Sequence, residues 1–271
     1  MTLMPDYTTS DFGETVLGDY QARRGGMSVF KEALQASAAR EPKVLGHPDF
    51  EGLAVGERRT ASIVAAFIDL TDFTGRSFWD DETEVVDLAH AVLSGFVETV
   101  VNFGGFPLGL RGDGLFAGFG PGNPQVDGVM ALSACSFALD AVETVVNPRL
   151  ERLGIARVQA RAGLDYGRIT FVRSGSGQHS EINPLGFAAN FAAKCEKKAN
   201  SWEVVAGEGL AELLPHADAF VEHEDSPKTY QRDYQRRTYR FYDYRWRSTL
   251  RHIPGTVQQL DGNPTESIAL F

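Results

Sequence analysis

The chain has 271 residues, of which 43% are hydrophobic and 23% charged, as is usual for one large globular domain or one domain with extensions. Its formal charge of −10 disfavours long nucleic acids, which proteins bind mainly by neutralising phosphates, but leaves a single nucleotide possible. No run approaches the roughly 18 apolar residues of a membrane helix, and the N-terminus does not resemble a signal peptide, so no membrane contact is expected. The two cysteines, Cys135 and Cys195, lack the spacing of a zinc site, and a reduced cytoplasmic setting is expected.

The first 60 residues are predicted to form an extension of the ordered domain. Residues 1–26 show no clear period and are expected to be a loose arm, followed by a short helix at 27–39 and a linker rich in Pro and Gly. The ordered core is predicted to begin near residue 61, where the apolar run 61–70 indicates a strand buried on both faces. Residues 71–81 are expected to be a loop with capping residues.

The middle of the chain predicts two long helices and a hairpin between them. Residues 84–103 repeat apolar side chains every three or four positions and end at a Gly pair, and a second helix is expected at 127–153. Between them, the apolar runs 107–111 and 115–119 are joined by Gly112-Asp113-Gly114, and an Asp-Gly turn in this setting is typical of a β-hairpin.

The remaining elements complete an α+β domain with a mainly antiparallel sheet and helices packed on one face. They are a strand pair turning around residues 165–167, a helix rich in small residues at 186–199, a strand at 202–205, and an aromatic edge strand at 238–246. The domain is predicted to span 61–250, with a tail at 251–271.

Two aspartates stand out as candidates for binding divalent cations. Asp69 ends the first strand and Asp113 lies at the hairpin tip, so adjacent strands would bring both carboxylates to one edge of the sheet. Each has a plainer interpretation, since Asp69 could cap the next turn and Asp113 could serve turn geometry alone. As a pair they could hold two hard cations, while backbone amides of the following loop could hold a triphosphate.

Four segments, in the same order along the chain, resemble the signature motifs of class III adenylyl and guanylyl cyclases. FIDLTDFT at 67–74 resembles the first metal motif, and Arg111-Gly112-Asp113 resembles the second metal hairpin. RAGLDYGRI and GFAANFAAKCE, which begin at residues 161 and 186, are similar to two later motifs of that family. The resemblance covers about residues 60–210 and implies a ferredoxin-like catalytic domain.

The resemblance also implies roles for individual residues. Asp69 and Asp113, with the Leu70 carbonyl, would hold two divalent cations, Mg²⁺ or Mn²⁺. Asn190 would orient the ribose, and Lys194 takes the position of an arginine that contacts the transition-state phosphate; without the family, the two residues would be interpreted as a packing amide and a solvated charge. The implied substrate contacts are Thr71, Phe73, Thr74, Gly109, Arg111 and Asn183.

The positions that read the base in adenylyl cyclases differ here. Gly109 stands where they have a lysine and Asn183 where they have an aspartate, so the adenine-reading pair is missing. This altered pocket resembles that of the bacterial anti-phage pyrimidine cyclases (Pycsar), whose product activates a separate effector protein. UTP, giving cyclic UMP, is preferred as substrate over CTP, although Asn183 alone does not decide between them because its amide can present either a donor or an acceptor edge.

Each motif occurs once in the chain, so a homodimer with two shared sites is expected. One protomer would supply Asp69 and Asp113, and the other Asn183, Asn190 and Lys194. Two alternatives remain open: a domain that senses nucleotides without turnover, and a polymerase-like palm, since related sheets host other nucleotidyl transfers.

Overall fold

The computed structural model describes residues 7–25, 45–214 and 217–253. Its helices are α1 Thr9–Arg24, α2 Pro48–Glu51, α3 Phe73–Trp79, α4 Glu82–Asn102, α5 Pro124–Ala141, α6 Asn147–Arg152, α7 Phe187–Lys198, α8 Glu208–Ala211 and α9 Trp246–Thr249. Its strands are β1 Arg58–Thr71, β2 Phe106–Arg111, β3 Gly114–Phe119, β4 Gln159–Gly175, β5 Ser180–Leu185, β6 Val204–Gly207, β7 Phe220–Glu222, β8 Lys228–Arg232, β9 Gln235–Tyr239 and β10 Phe241–Tyr244. The helix predicted at 27–39 lies outside the described residues, as does most of the tail.

Eight of these strands form one sheet, in the order β2-β3-β1-β4-β6-β10-β7, with β5 paired to β4. β4 and β6 run parallel, and the other strand pairs of the described residues are antiparallel. β8 and β9 form a separate hairpin. The predicted α+β fold with a mainly antiparallel sheet is therefore confirmed.

Helices cover both faces of the central strands, so the prediction of a single covered face is wrong. Alternate residues of β1 point to opposite sides of the sheet. Val64, Ala66 and Ile68 belong to the large core that includes α4 and α5, whereas Ile63 and Ala65 belong to a second cluster with the alanines of α7. α7 thus lies on the face opposite the two long helices.

The second face is unusually close-packed because a glycine of β4 contacts the backbone of α7. A Cβ built at Gly163 would overlap the backbone of Glu196 and Ala192. The approach is less tight at Gly167, where a Cβ would lie 3.1 Å from the Ala188 side chain. The small residues in both elements therefore set the distance between helix and sheet, which fixes α7 and its polar side chains relative to β4.

Replacing Gly163 by Ala is expected to destabilise the protein strongly. Neither the strand nor the helix backbone can yield easily, so we expect a loss of about 3 kcal/mol in the free energy of unfolding, measured by urea denaturation. Gly18→Ala in α1 is the matched control, because a Cβ there meets nothing within 4 Å. Equal stability of the two variants would show that α7 packs less tightly on β4.

The N-terminal segment is not a loose arm, because residues 9–24 form helix α1. Its buried side chains Phe12, Val16 and Tyr20 pack into the large core beside α4 and α5. Thr8 and Asp11 form a capping box at its start. The isolated segment shows little periodicity, but tertiary packing stabilises it as a helix.

Two further local predictions fail where turn-forming residues occur inside regular structure. Residues 73–79, expected to be a loop, form α3, whose Arg76 side chain donates to the carbonyls of Ala156 and Arg157. Asp165 and Gly167, expected at a hairpin turn, lie within the continuous strand β4 and pair with β1. Asp165 is fully buried and accepts hydrogen bonds inside the fold, so it is not needed for a turn.

The aromatic segment near the C-terminus is divided between two structures and does not form a sheet edge. Its first residues belong to β9, whereas β10 lies between β6 and β7 inside the main sheet. Phe241 and Tyr244 of β10 are buried, which explains the aromatic residues there.

The described residues contain one helical stretch, Pro124–Arg152, whose length and composition would suffice to cross a membrane. It continues through a π-helical turn at Val142–Val146 from α5 into α6. Most of its apolar window is buried in the core, as expected for the central helix of a globular domain.

Candidate active site

The hairpin between β2 and β3 places Asp113 beside Asp69. Gly112 adopts φ +63°, which the tight turn requires, and the Leu70 amide donates to the Asp113 carbonyl at 3.4 Å. Asp69 pairs across the sheet with Gly114, and a Cβ at Gly114 would lie 2.8 Å from the Asp69 carboxylate. A glycine at that position therefore gives the Asp69 side chain room to lie against the hairpin.

The two carboxylates affect each other electrostatically. Burial and the negative charge of Asp69 together raise the pKa of Asp113 above its usual range. Such repulsion between neighbouring carboxylates is relieved by a cation. The predicted approach of the two aspartates is therefore confirmed by the geometry, while their role as metal ligands stays a prediction.

Both aspartates line a cleft of about 470 Å³ at the end of β1 and the start of α3. Leu70, Thr71 and Phe73 line the same cleft. The first-turn amides of α3 have no acceptor within the helix, so the start of α3 can accept an anionic group. Thr74 lies in this first turn, but its side chain is outside the described part of the chain.

Arg161 is a site residue that the motif interpretation did not single out. Its guanidinium lies 3.0 Å from Asp69 and 2.5 Å from Glu196, and it also donates to the Ala199 carbonyl at 3.2 Å. Burial raises the pKa of Glu196 to about 7, although Arg161 opposes the shift. Arg161 faces Asp69 because the two residues are register partners on β4 and β1, a relation that only strand pairing reveals.

Two lysines at the C-terminal end of α7 add positive charge to the cleft. Lys197 and Lys198 line it together with Asn200 and Ser201, and Lys198 also pairs with Asp225 at 2.5 Å. The cleft thus contains both negatively charged carboxylates and positively charged side chains. This combination suits a ligand that consists of a metal ion and a polyphosphate.

The donor set of the cleft fits a magnesium-type ion. The described residues contain no group of three or more His, Cys, Asp or Glu side chains that could hold a metal by themselves. Two carboxylates and the Leu70 carbonyl are all oxygen donors, and Mg²⁺ is commonly bound by one or two carboxylates together with substrate phosphates and water. These residues fit an ion that arrives with its substrate.

The predicted base contact Asn183 lies at the opposite end of the central strands. It pairs with Val172 of β4, which pairs with Arg58 at the start of β1. Asp69 is eleven residues further along β1, a distance of about 36 Å at 3.3 Å per residue. Asn183 and the two aspartates of one protomer therefore cannot contact one nucleotide.

Asn190 and Lys194 lie one turn apart on the exposed side of α7, as predicted. The ammonium group of Lys194 donates to the Tyr230 hydroxyl at 3.0 Å, so this lysine is directed toward the β8–β9 hairpin. Neither Asn190 nor Lys194 lines the aspartate cleft. The sequence-predicted site is thus divided into two parts on the surface of one protomer.

The space beside Gly109 is occupied by its neighbour Arg111. A Cβ at Gly109 would lie 3.3 Å from the Arg111 guanidinium, which folds back and donates to the Leu110 carbonyl. Neither Gly109 nor Arg111 lines the aspartate cleft. The position at which the cyclase resemblance implies an adenine-reading lysine therefore holds a glycine with the Arg111 side chain folded over it.

A second buried carboxylate supports the other part of the site. Asp165 accepts hydrogen bonds from the Tyr166 amide at 2.9 Å and from the Tyr239 hydroxyl at 3.1 Å. Tyr239 packs on Phe187 and Phe191 of α7. Burial raises the pKa of Asp165 to about 7 in spite of these hydrogen bonds.

We expect the protein to be more stable at pH 6 than at pH 8. Because folding raises the pKa of Asp165 to about 7, from about 3.9 in the unfolded chain, the folded state gains a proton as the pH falls through 7, and stability rises. Asp165 alone contributes about 1.4 kcal/mol over this range. Urea denaturation of Asp165→Asn at both pH values should show a smaller difference, to which other groups with raised pKa values, Glu196 and Asp127 among them, still contribute in the same direction.

Known proteins whose sequences are similar to this chain are named as nucleotide cyclases. No protein-family model matches the chain. Two curated relatives from Escherichia coli, both named cytidylate cyclase, are 24% and 25% identical over 184 and 182 residues, covering 64% and 65% of the chain and 40% of each relative. The chain thus spans about two fifths of the length of these relatives.

Solved structures of cyclases share the fold. The guanylyl cyclase Cya2 aligns with a TM-score of 0.58 and 21% identity, covering 70% of this chain and 94% of that structure. The adenylyl cyclase CyaB from P. aeruginosa aligns with a TM-score of 0.60 and 20% identity, covering 69% and 95%. The predicted resemblance to class III nucleotidyl cyclases and the predicted fold are both confirmed.

Proposed function

We propose that this chain is a class III nucleotidyl cyclase, a lyase that converts a nucleoside triphosphate into a 3′,5′-cyclic mononucleotide and pyrophosphate. One observation carries the proposal: Asp69 and Asp113 meet in a cleft beside cationic side chains and the first turn of a helix. This combination serves phosphoryl chemistry, in which catalysis depends on positioning and charge neutralisation. The curated relatives named as cyclases support the same activity.

In this mechanism the substrate 3′-hydroxyl attacks the α-phosphorus in line, forming the ring P–O bond as the bond to pyrophosphate breaks. Asp69, Asp113 and the Leu70 carbonyl would hold two divalent cations, which when bound supply charge neutralisation and activate the hydroxyl. Thr71, Phe73 and Thr74 belong to the segment that would hold the triphosphate, at the start of α3.

The remaining residues would act from the partner protomer. Asn190 would orient the ribose, and Lys194 would stabilise charge that develops on the α-phosphate, with looser geometry than an arginine allows. The separation of about 36 Å between Asn183 and Asp69 along the strands supports a site shared by two protomers, because one protomer cannot bring Asn183 and Asp69 to the same nucleotide. A two-fold dimer then contains two such sites.

A pyrimidine triphosphate is the proposed substrate class. Gly109, covered by Arg111, offers no side chain to read adenine, and the neutral amide of Asn183 can pair with the edge of uracil or cytosine. The sequence-based interpretation prefers UTP, although the Asn183 amide suits either pyrimidine, whereas the names of the two relatives support CTP. A cytoplasmic role in anti-phage signalling, with the product activating a separate effector, belongs to the same proposal.

Incubation with Mn²⁺ and each of ATP, GTP, CTP and UTP separately, followed by mass identification of products, tests the proposal. We expect cyclic CMP or cyclic UMP and no purine product. Cyclic AMP or cyclic GMP would refute the substrate class but not the activity. Tight nucleotide binding without product from any of the four would favour a nucleotide sensor. Two features support that alternative: the Asp69–Arg161 ion pair and the lysine at position 194.

A further inference from the structure

The described part of the chain includes two strongly exposed aromatic features outside the assigned site residues. At the end of α3, Phe78 and Trp79 are 78% and 82% exposed and contact each other edge to face at 4.9 Å. At the tip of the β8–β9 hairpin, Tyr234 is fully exposed. Large aromatic side chains exposed in this way commonly mark interaction surfaces.

The backbone at the hairpin tip supports a role in contact. Asp233 and Tyr234 both have positive φ, +48° and +63°, positions where Gly or Asn is usually preferred. A tyrosine there strains the backbone, and its fully exposed side chain gains no packing within the protomer. Its presence is explained if the side chain is buried by another molecule.

The charges of the two features are complementary. The hairpin contains the basic residues Lys228, Arg232, Arg236 and Arg237 and one acidic residue, in a chain whose net charge is −10. Residues 80–82, directly after Trp79, are Asp, Asp and Glu, and all three are exposed. An acidic rim around an aromatic pair suits a basic, tyrosine-tipped hairpin.

Each feature is attached to a different part of the divided site. α3 begins at Phe73 in the aspartate cleft, and Arg76 anchors it to the chain before β4. The hairpin is held against α7 by the Lys194–Tyr230 hydrogen bond and by the packing of Tyr239 on Phe187. A dimer that joins the aspartate cleft of one protomer to the α7 residues of its partner also brings α3 of the first protomer toward the β8–β9 hairpin of the second.

We propose that, in the dimer, the tip of the β8–β9 hairpin of each protomer packs on the Phe78–Trp79 pair of its partner. The occupant of the aromatic pair is thus a second copy of this chain. By two-fold symmetry the contact forms twice and flanks both shared sites. This inference rests on the dimer of the proposed function and adds the contact that aligns its two halves.

Site-specific cross-linking tests the contact, because the native Cys135 and Cys195 are both buried and leave introduced cysteines to react alone. Trp79→Cys and Tyr234→Cys are purified separately, mixed and mildly oxidised. We expect a disulfide-linked dimer in the mixture but not in either variant alone. The matched control replaces Trp79→Cys by Val101→Cys, an exposed position at the far end of α4, and should give little cross-link.

A second measurement uses Trp79→Ala and Tyr234→Ala in sedimentation equilibrium. Each should raise the dimer dissociation constant at least tenfold, with activity recovered at high protein concentration. A catalytically active dimer that gives no Trp79–Tyr234 cross-link, or no more than the Val101 control, would overturn the contact and leave the proposed function intact. A chain that is monomeric at every concentration would overturn both, whereas a cross-linked dimer without cyclase activity would support the contact and refute the activity.

Discussion

Asp69→Asn is expected to abolish cyclic nucleotide formation, with turnover falling by at least about a thousandfold. The substitution keeps the shape of the side chain but removes the charge and one oxygen ligand. Asp113→Asn should have a similar effect, since both carboxylates line the same cleft. Product formation with the preferred triphosphate and Mn²⁺, followed by chromatography, measures the loss.

Stability measurements separate loss of chemistry from loss of fold. The pKa of Asp113 is raised by burial and by Asp69, so its charge disfavours the folded state, and Asp113→Asn should not lower the unfolding temperature. Asp72→Asn is the matched control, because Asp72 lines the same cleft in a left-handed conformation that Asn tolerates well. If Asp69→Asn retained substantial activity, the proposed mechanism would be wrong.

Mixing two inactive variants is expected to restore activity to about a quarter of the wild-type level. In a shared site, Asp69→Asn damages one half and Lys194→Ala the other half. Half of the randomly formed dimers are heterodimers, and each of these contains one intact site and one doubly damaged site. The measurement is the specific activity of the equilibrated mixture compared with each variant alone.

The control for this experiment mixes Asp69→Asn with Asp113→Asn. Both substitutions lie in the same half, so every site of every dimer contains one of them, and no activity should return. Recovery in this control would contradict the assignment of both aspartates to the same half of the site. If the first mixture regained no activity although mass measurement showed that heterodimers had formed, each protomer would act alone.

The aspartate hairpin could be predicted from sequence because its signals are local. An apolar strand ending in Asp69 and an Asp-Gly turn between short apolar runs specify both elements without knowledge of distant contacts. The pairing of β1 with β3 then places Asp113 beside Asp69. Motif order along the chain supplied the remaining candidate residues, together with the expectation that they are divided between two protomers.

The features that escaped prediction depend on tertiary structure. Gly13 and Gly18 weaken the helical pattern of α1, yet Gly13 is required because a Cβ there would overlap Val145. Asp165 and Gly167 resemble a turn, but burial and strand pairing keep them in β4. Arg161 contacts Asp69 because β4 and β1 pair in a register that places the two residues side by side. Neither segment alone indicates that register.

The locking of α7 onto β4 at Gly163 has a consequence for communication between the two sites of a dimer. In the proposed dimer the same helix carries Asn190 and Lys194 for one site and, about one turn after Lys194, Lys197 and Lys198 beside the other. Because Gly163 holds α7 closely against the sheet, a displacement of α7 at one site of the proposed dimer would be expected to shift the whole helix, including its residues at the other site. If the proposed dimer forms, titration with a non-hydrolysable triphosphate is then expected to deviate from a simple hyperbola.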